Sequence, residues 1–242
     1  MKLPILLPLL SAALSHAAAS SLCGPDEAVL ILENNTTATI KKADIASYLP
    51  NVSFLPPNAT YPPLLTTNTK PSNHTKRGSG SVQLIIELPD SDFLGWDIAM
   101  STVTHANQAD ATIAIASGQM IADAIAIGES ADITLVKDFL SASYSLTYTH
   151  TTTSTLTGTV TMTIPANKWG AIVSNPLTHR KAGYVFTGEP GSGQFEYYQA
   201  DSFDSASYSY NSGTLSWVKG VVTTCLGDGY PLPRCEGSGS LE

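Results

Sequence analysis

Three histidines fall in the last 165 residues, His105, His150 and His179, and each stands alone. None has a second histidine or a glutamate at a spacing that would turn two ligands toward one ion, so they read as surface or turn residues. Asp90 with Asp92, and Asp201 with Asp204, are close enough in sequence to work as the carboxylate pair of a hydrolase. Acidic residues in loops are more often solvated surface, and that reading stands beside the first. Gly191-Ser192-Gly193 lacks the Gly-X-Ser-X-Gly spacing of a nucleophile elbow. Gly227-Asp228-Gly229 reads as a turn rather than a calcium site. The aromatic residues Trp96, Trp169, Trp217, Tyr197, Tyr198, Tyr208 and Tyr210 offer either a glycan-binding surface or core packing. These residues single out no catalytic group, no cofactor and no metal.

The cysteines say more. Cys225 and Cys235 are 10 residues apart in a Gly- and Pro-rich stretch, and an exported chain should pair them as a disulfide. Metal binding is the alternative, but no second cysteine pair or histidine cluster lies nearby. Cys23 is left over, and nothing in the sequence explains it.

The segments that carry these residues differ in kind. Residues 1–19 read as a signal peptide: Lys2 supplies the positive start, an apolar run follows, and Ala17 to Ala19 form a small-residue cleavage site. Residues 20–77 read as a pro-segment, mostly linker. Five Asn-X-Ser/Thr sequons, at Asn34, Asn35, Asn51, Asn58 and Asn73, crowd into it, and prolines at 50, 56, 57, 62, 63 and 71 deny it long elements. Only 28–32 and 39–48 look able to form short ordered pieces. The segment ends at Lys76-Arg77, a dibasic pair before Gly78-Ser79-Gly80, where a processing protease can grip an extended chain. Residues 78–242 are then the mature domain, with six basic against sixteen acidic side chains. The whole chain carries a net charge of −8 and only 13% charged residues, which speaks against nucleic acid and anionic lipid as partners.

Strand signals dominate the mature domain. Short apolar or alternating runs occur at 82–88, 111–116, 121–127, 171–174, 184–186, 195–199, 207–210 and 214–223, separated by Gly, Pro, Asp and Asn. A helix stays open for 119–127, and residues 135–140 allow a single helical turn. The pattern predicts an all-β domain, an antiparallel β-sandwich, with an elongated form among the options. Within it, every odd position from Ser141 to Thr163 is Ser or Thr, while even positions such as Tyr144, Tyr148, Val160, Met162 and Ile164 are largely apolar. The apolar face lapses at Thr152 and Ser154, so a bend near Thr153 gives two arms of about 10 residues, close to the ~9–11 of a membrane-spanning strand. This ribbon from Ser141 to Ile164 is a candidate membrane hairpin; the competing reading is an ordinary strand pair with one face in the core.

Several ordered stretches then resemble a known family. They are Phe93-Leu94-Gly95-Trp96-Asp97, residues 135–141, Trp169-Gly170-Ala171-Ile172-Val173-Ser174-Asn175-Pro176, Leu215-Ser216-Trp217-Val218, and the segment from Cys225 to Cys235. Together they are similar to the celp-type effector-like secreted protein family of filamentous fungi. The resemblance implies a secreted fungal protein acting on a host or neighbour, with no settled activity and no catalytic residues to carry over. Members of that family often carry two further cysteines, near the start of the mature domain and after the strand at 184–186. Residues 82–88 and 187–193 hold none here, which implies one disulfide fewer.

Three functions follow as expectations. The first is a secreted, non-enzymatic, effector-like protein that binds an extracellular or host target. The second is a β-pore-forming protein of aerolysin-like logic, its hairpin released when the leader is cut and its partner a membrane. The third is a cell-wall glycan-binding or hydrolytic protein.

Overall fold

The computed structural model describes residues 22–24, 26–31, 37–44, 47, 53–54, 82–128, 132–188, 194–210 and 213–242. Among them the chain is mostly strand, in largely antiparallel sheets, with one α-helix, so the all-β class read from the sequence is what the structure has. Ala19, the sequons at Asn34, Asn35, Asn51, Asn58 and Asn73, and the Lys76-Arg77 pair lie outside the described residues.

The sheets are organised around a single strand, Lys168–Gly188, 21 residues long. Its β-branched and aromatic residues, including Trp169, Ile172, Val173, Thr178, Tyr184, Val185 and Phe186, favour extended backbone. The sequence reading saw only 171–174 and 184–186 because polar residues from Thr178 to Lys181 separate the two apolar ends. Over residues 168–176 this strand runs between Gly220–Gly227 on one side and Thr104–Ala106 and Ile98–Ala99 on the other. Further along it runs between Gln194–Phe203 on one side and Ser91–Leu94 and Val82–Glu87 on the other. Pro176, which has no N–H to give, sits opposite Gly220 where the first partner begins and just before the second ends. Gly220 has φ +149°, and a Cβ there would lie 2.3 Å from the Asn175 carbonyl oxygen, so only glycine fits. It also splits the run expected at 214–223 into two strands, Gly213–Val218 and Gly220–Gly227.

The helix, Ile133–Tyr144, is longer than the single turn allowed by the sequence. Asp132 caps it, its side chain accepting from the Thr134 N–H, and Ser145 ends it in the left-handed region at φ 57°. Val136 and Leu140, one turn apart, are fully buried and pack with Ile125, Val185, Tyr198 and Ala200. The same packing leaves no continuous ribbon from Ser141 to Ile164 in this fold. Ser141 and Tyr144 are helical, and Tyr148, at φ 46°, lies buried in an irregular stretch. Thr153 belongs to Thr151–Thr153, which pairs with Met120–Ala122; Thr155–Gly158 pairs with Gly213–Val218; Thr161–Ile164 pairs with Ala111–Ala114. The two expected arms therefore do not pair with one another. Buried Ser154 breaks the run by bonding Gln119 in both directions, and Val160, Met162 and Ile164 are held in the largest core cluster. That cluster also holds Met100, Ile172, Tyr208, Leu215 and Trp217.

Residues 119–127, where a helix was left open, are two short strands, Met120–Ala122 and Ala124–Ile127. The leader is less of a linker than its composition implies. Glu27–Ile31 and Thr37–Lys41 form a hairpin whose first strand pairs with the outer side of Gly220–Gly227. Leu22–Cys23 runs parallel to Thr161–Ile164, and Ser53–Phe54 runs parallel to Ser91–Leu94.

Candidate functional site

Four separate stretches, around Gly95-Asp97, Ser174-Pro176, Trp217 and Arg234-Glu236, meet at one buried polar cluster. Gly95 donates its N–H to the Pro176 carbonyl at 2.7 Å. The Asn175 side-chain amide, itself buried, donates to the Gly95 carbonyl at 3.1 Å and to Asp97 Oδ1 at 2.8 Å. Asp97, with none of its surface exposed, accepts on Oδ2 from the Cys235 N–H at 2.7 Å and the Glu236 N–H at 3.1 Å. Its backbone carbonyl accepts from the Arg234 guanidinium. Beside it the Trp217 indole N–H donates to Ser174 Oγ at 2.9 Å. Four segments far apart in sequence are thus tied together at the base of the disulfide loop. The bond between Cys225 and Cys235 closes that loop with its Cα atoms 5.6 Å apart, as the spacing in sequence implied.

A cleft of about 140 Å³ opens over this cluster, lined by Lys42, Asp97, Asn175, Thr223, Thr224, Cys235 and Glu236. Lys42 comes from the leader, and its ammonium donates to the Thr224 carbonyl at 2.5 Å. Burial pushes its pKa down, against the attraction of Asp26 and Asp97. Burial, reinforced by the charge of Asp97, pushes the Glu236 carboxyl up. Two titrating groups moved in opposite senses are what an acid–base pair needs. Here the Asp97 carboxylate accepts three hydrogen bonds and the amine is bonded to a carbonyl, so both groups tie chain segments together. The Asp97, Cys225 and Cys235 ligand atoms lie within 4.8 Å of one another, but both sulfurs are in the disulfide and cannot serve as thiolate ligands.

A second feature lies on the face of the sheet turned away from the helix. Of the seven large apolar side chains exposed among the described residues, five are Ile86, Leu88, Tyr184, Phe195 and Tyr197. Cross-strand pairing places Ile86, Tyr184 and Tyr197 side by side, and Phe186 beside Phe195 one row further on. The Tyr184 and Tyr197 rings meet edge to face at 5.7 Å, and Phe186 and Phe195 lie 5.0 Å apart. Phe195 is 59% exposed. These two rows carry the Tyr184 and Tyr197 hydroxyls, and the Arg180–Asp201 ion pair follows along the same face, near enough to act on the Tyr197 hydroxyl.

Most of the sequence candidates go elsewhere. Asp201 is buried in a bidentate ion pair with Arg180, at 2.6 and 2.7 Å, and the guanidinium lies over the Phe93 ring. Asp204 pairs with Lys219 at 3.0 Å and flanks His179, whose other ring nitrogen meets Asp92 at 2.7 Å. Asp90 pairs with Lys181. His105 stacks on Trp169 with ring centroids 4.6 Å apart, and the Tyr230 ring, from the disulfide loop, lies 5.1 Å from Trp169. Trp217, Tyr198 and Tyr208 fill the core, so of the aromatic residues considered from the sequence Tyr197 is the one on the exposed face. Sequence reasoning did not single out Asn175, Glu236 or Lys42. For Asn175 and Glu236 the available signal was that the first lies in, and the second follows, a stretch named in the sequence analysis; Lys42 had none.

No described helix is long and apolar enough to cross a membrane. Comparison of the chain with protein-family models, curated proteins and solved structures gives no match.

Proposed function

We propose that this is a secreted, effector-like binding protein rather than an enzyme, and that it meets its target through the aromatic rows around Tyr184 and Tyr197. Export, glycosylation of the leader and cutting after Arg77 belong to the same proposal, as does the resemblance to the celp-type family. The observation that carries it is the concentration of exposed apolar side chains on one sheet face whose reverse side is closed by the helix. Contiguous apolar surface of this kind marks a contact site. Ring faces carrying hydroxyl groups fit the C–H faces of a wall polysaccharide.

Retention of the protein by insoluble chitin, cellulose and β-glucan tests this, with a Tyr184→Ser, Phe195→Ser, Tyr197→Ser triple variant beside it. The expected result is retention of the parent on at least one of these and its loss in the triple variant. Failure of the parent to bind any of them removes the glycan reading. Leakage of liposomes by protein cut at Lys76-Arg77, and not by uncut protein, would put the pore-forming reading in its place.

A further inference from the structure

The leader and the mature domain meet along more chain than a discarded linker needs. We infer that the outer edge of Gly220–Gly227, together with the Asp97–Glu236 cleft, is a receptor for the chain's own N-terminal hairpin, and that the hairpin stays docked after the connection through Lys76-Arg77 is cut. The working protein is then two pieces held without a covalent link between them.

Four observations converge on this. Strand Glu27–Ile31 adds to the sheet edge in register, with Ala28, Val29 and Leu30 opposite Thr223, Val222 and Val221. A β-strand edge is an affinity surface in itself, because an added strand satisfies a row of main-chain donors and acceptors. The Thr223 hydroxyl donates to the Glu27 carbonyl at 3.2 Å, which reinforces the ladder from a side chain. Lys42, just past the second strand of the hairpin, then reaches back to the Thr224 carbonyl and closes the cleft over Asp97. Its own N–H donates to the Asp26 carbonyl at 2.9 Å, so the lysine is held in place by the hairpin before it enters the cleft.

The hairpin also carries its own brace. Lys41 pairs with Glu27 at 2.7 Å across the two strands, and Glu27 Oε2 accepts from the Gly24 N–H at 3.0 Å. Ile40, on the second strand, is buried. The pairings of Leu22–Cys23 with Thr161–Ile164 and of Ser53–Phe54 with Ser91–Leu94 add attachments on either side of it. A cut at 76–77 severs none of these. The receptor is separate from the aromatic rows, so this inference does not depend on what those rows bind.

The test uses the full chain. Secreted protein is cut with a dibasic-specific endoprotease and passed over a gel-filtration column at micromolar concentration, and the eluate is weighed by native mass spectrometry. Both pieces are expected to elute together, and to separate in urea. A second measurement follows exchange of the bound piece against an excess of labelled peptide covering residues 24–44. A Lys42→Met chain, which keeps the length of the side chain but not its charge, is expected to release its hairpin about tenfold faster. Separation of the two pieces in the cut parent protein would overturn the inference. Release from the Lys42→Met chain at the parent rate would remove the cleft from the receptor.

Discussion

Asp97→Asn is the substitution that bears most directly on the buried cluster. The carboxylate has two jobs: Oδ2 takes the Cys235 and Glu236 N–H groups, and Oδ1 takes the Asn175 amide at 2.8 Å. An amide in its place can keep only one of them. With its oxygen on the two backbone donors, its NH₂ group faces the NH₂ of Asn175, donor against donor. One charge-assisted hydrogen bond is lost and a buried donor is left with only the Gly95 carbonyl at 3.1 Å. The cost should be about 2 kcal/mol, or roughly 4–8 °C in melting temperature for a chain of this size. Asp97→Ala strands both backbone donors and should cost more, about 3–5 kcal/mol. A swapped pair, Asp97→Asn with Asn175→Asp, restores a donor opposite an acceptor but turns a carboxylate oxygen toward the Gly95 carbonyl. Recovery should therefore be partial, with a coupling energy near 1 kcal/mol. Urea unfolding followed by the fluorescence of Trp96, Trp169 and Trp217 measures all four corners of the cycle, and amide exchange at Cys235 and Glu236 reports the same bonds one by one. If Asp97→Asn costs under about 0.5 kcal/mol, or the double variant equals the sum of its parts, the account of this cluster is refuted.

Three further outcomes follow from the same geometry. The raised carboxyl of Glu236 means the native state holds more protons than the unfolded chain between the ordinary glutamate value of 4.5 and the native one, so its contribution is full at low pH and is lost as pH rises through the native value. Glu236→Gln should thus raise stability at pH 7 and flatten the slope above pH 4.5, and an unchanged slope in urea titrations would count against it. Asp201→Ala, which leaves the half-buried Arg180 guanidinium without its carboxylate, should cost about 3–5 kcal/mol, and Asp201→Ala with Arg180→Met less than that; the reverse order would show the pair is not what holds the site. The Tyr208 hydroxyl is buried without a hydrogen-bond partner among the described residues, and Tyr208→Phe should leave stability unchanged or raise it by about 1 kcal/mol, whereas a loss beyond that would reveal a bond the packing hides.

What could be read from the sequence was local. The Cys225–Cys235 bridge spans 10 residues, and its partners were identifiable without knowing anything beyond them. Short alternating runs predicted the strands at 82–88, 111–116 and 207–210, because the two-residue period follows from the pleat and not from the neighbours. The all-β class follows from the same periods. The longer elements needed the rest of the fold. The central strand crosses the polar stretch from Thr178 to Lys181, and it stays extended there because Asp92 and Asp201 from neighbouring strands, and Asp90 just before one of them, meet its charges. Ser141 and Tyr144 obey the same period as the strand residues after them. They are helical because Val136 and Leu140 find a sheet to pack against.

The candidate site was legible only as fragments. Asp97 and Asn175 stand in stretches that the sequence analysis names, but nothing in the sequence pairs them with one another or with the Cys235 N–H, and 78 residues separate the first two. A carboxylate this deeply buried is stable only when donors from elsewhere reach it, so which residue would become the hub was decided by pairing. The leader shows the same division. Its composition of sequons and prolines reads as a solvated segment, yet part of it pairs with the sheet. Whether two five-residue strands inside it stay in solvent or dock depended on an open edge at Gly220–Gly227 and a cleft fitted to Lys42, and only the tertiary structure supplies both.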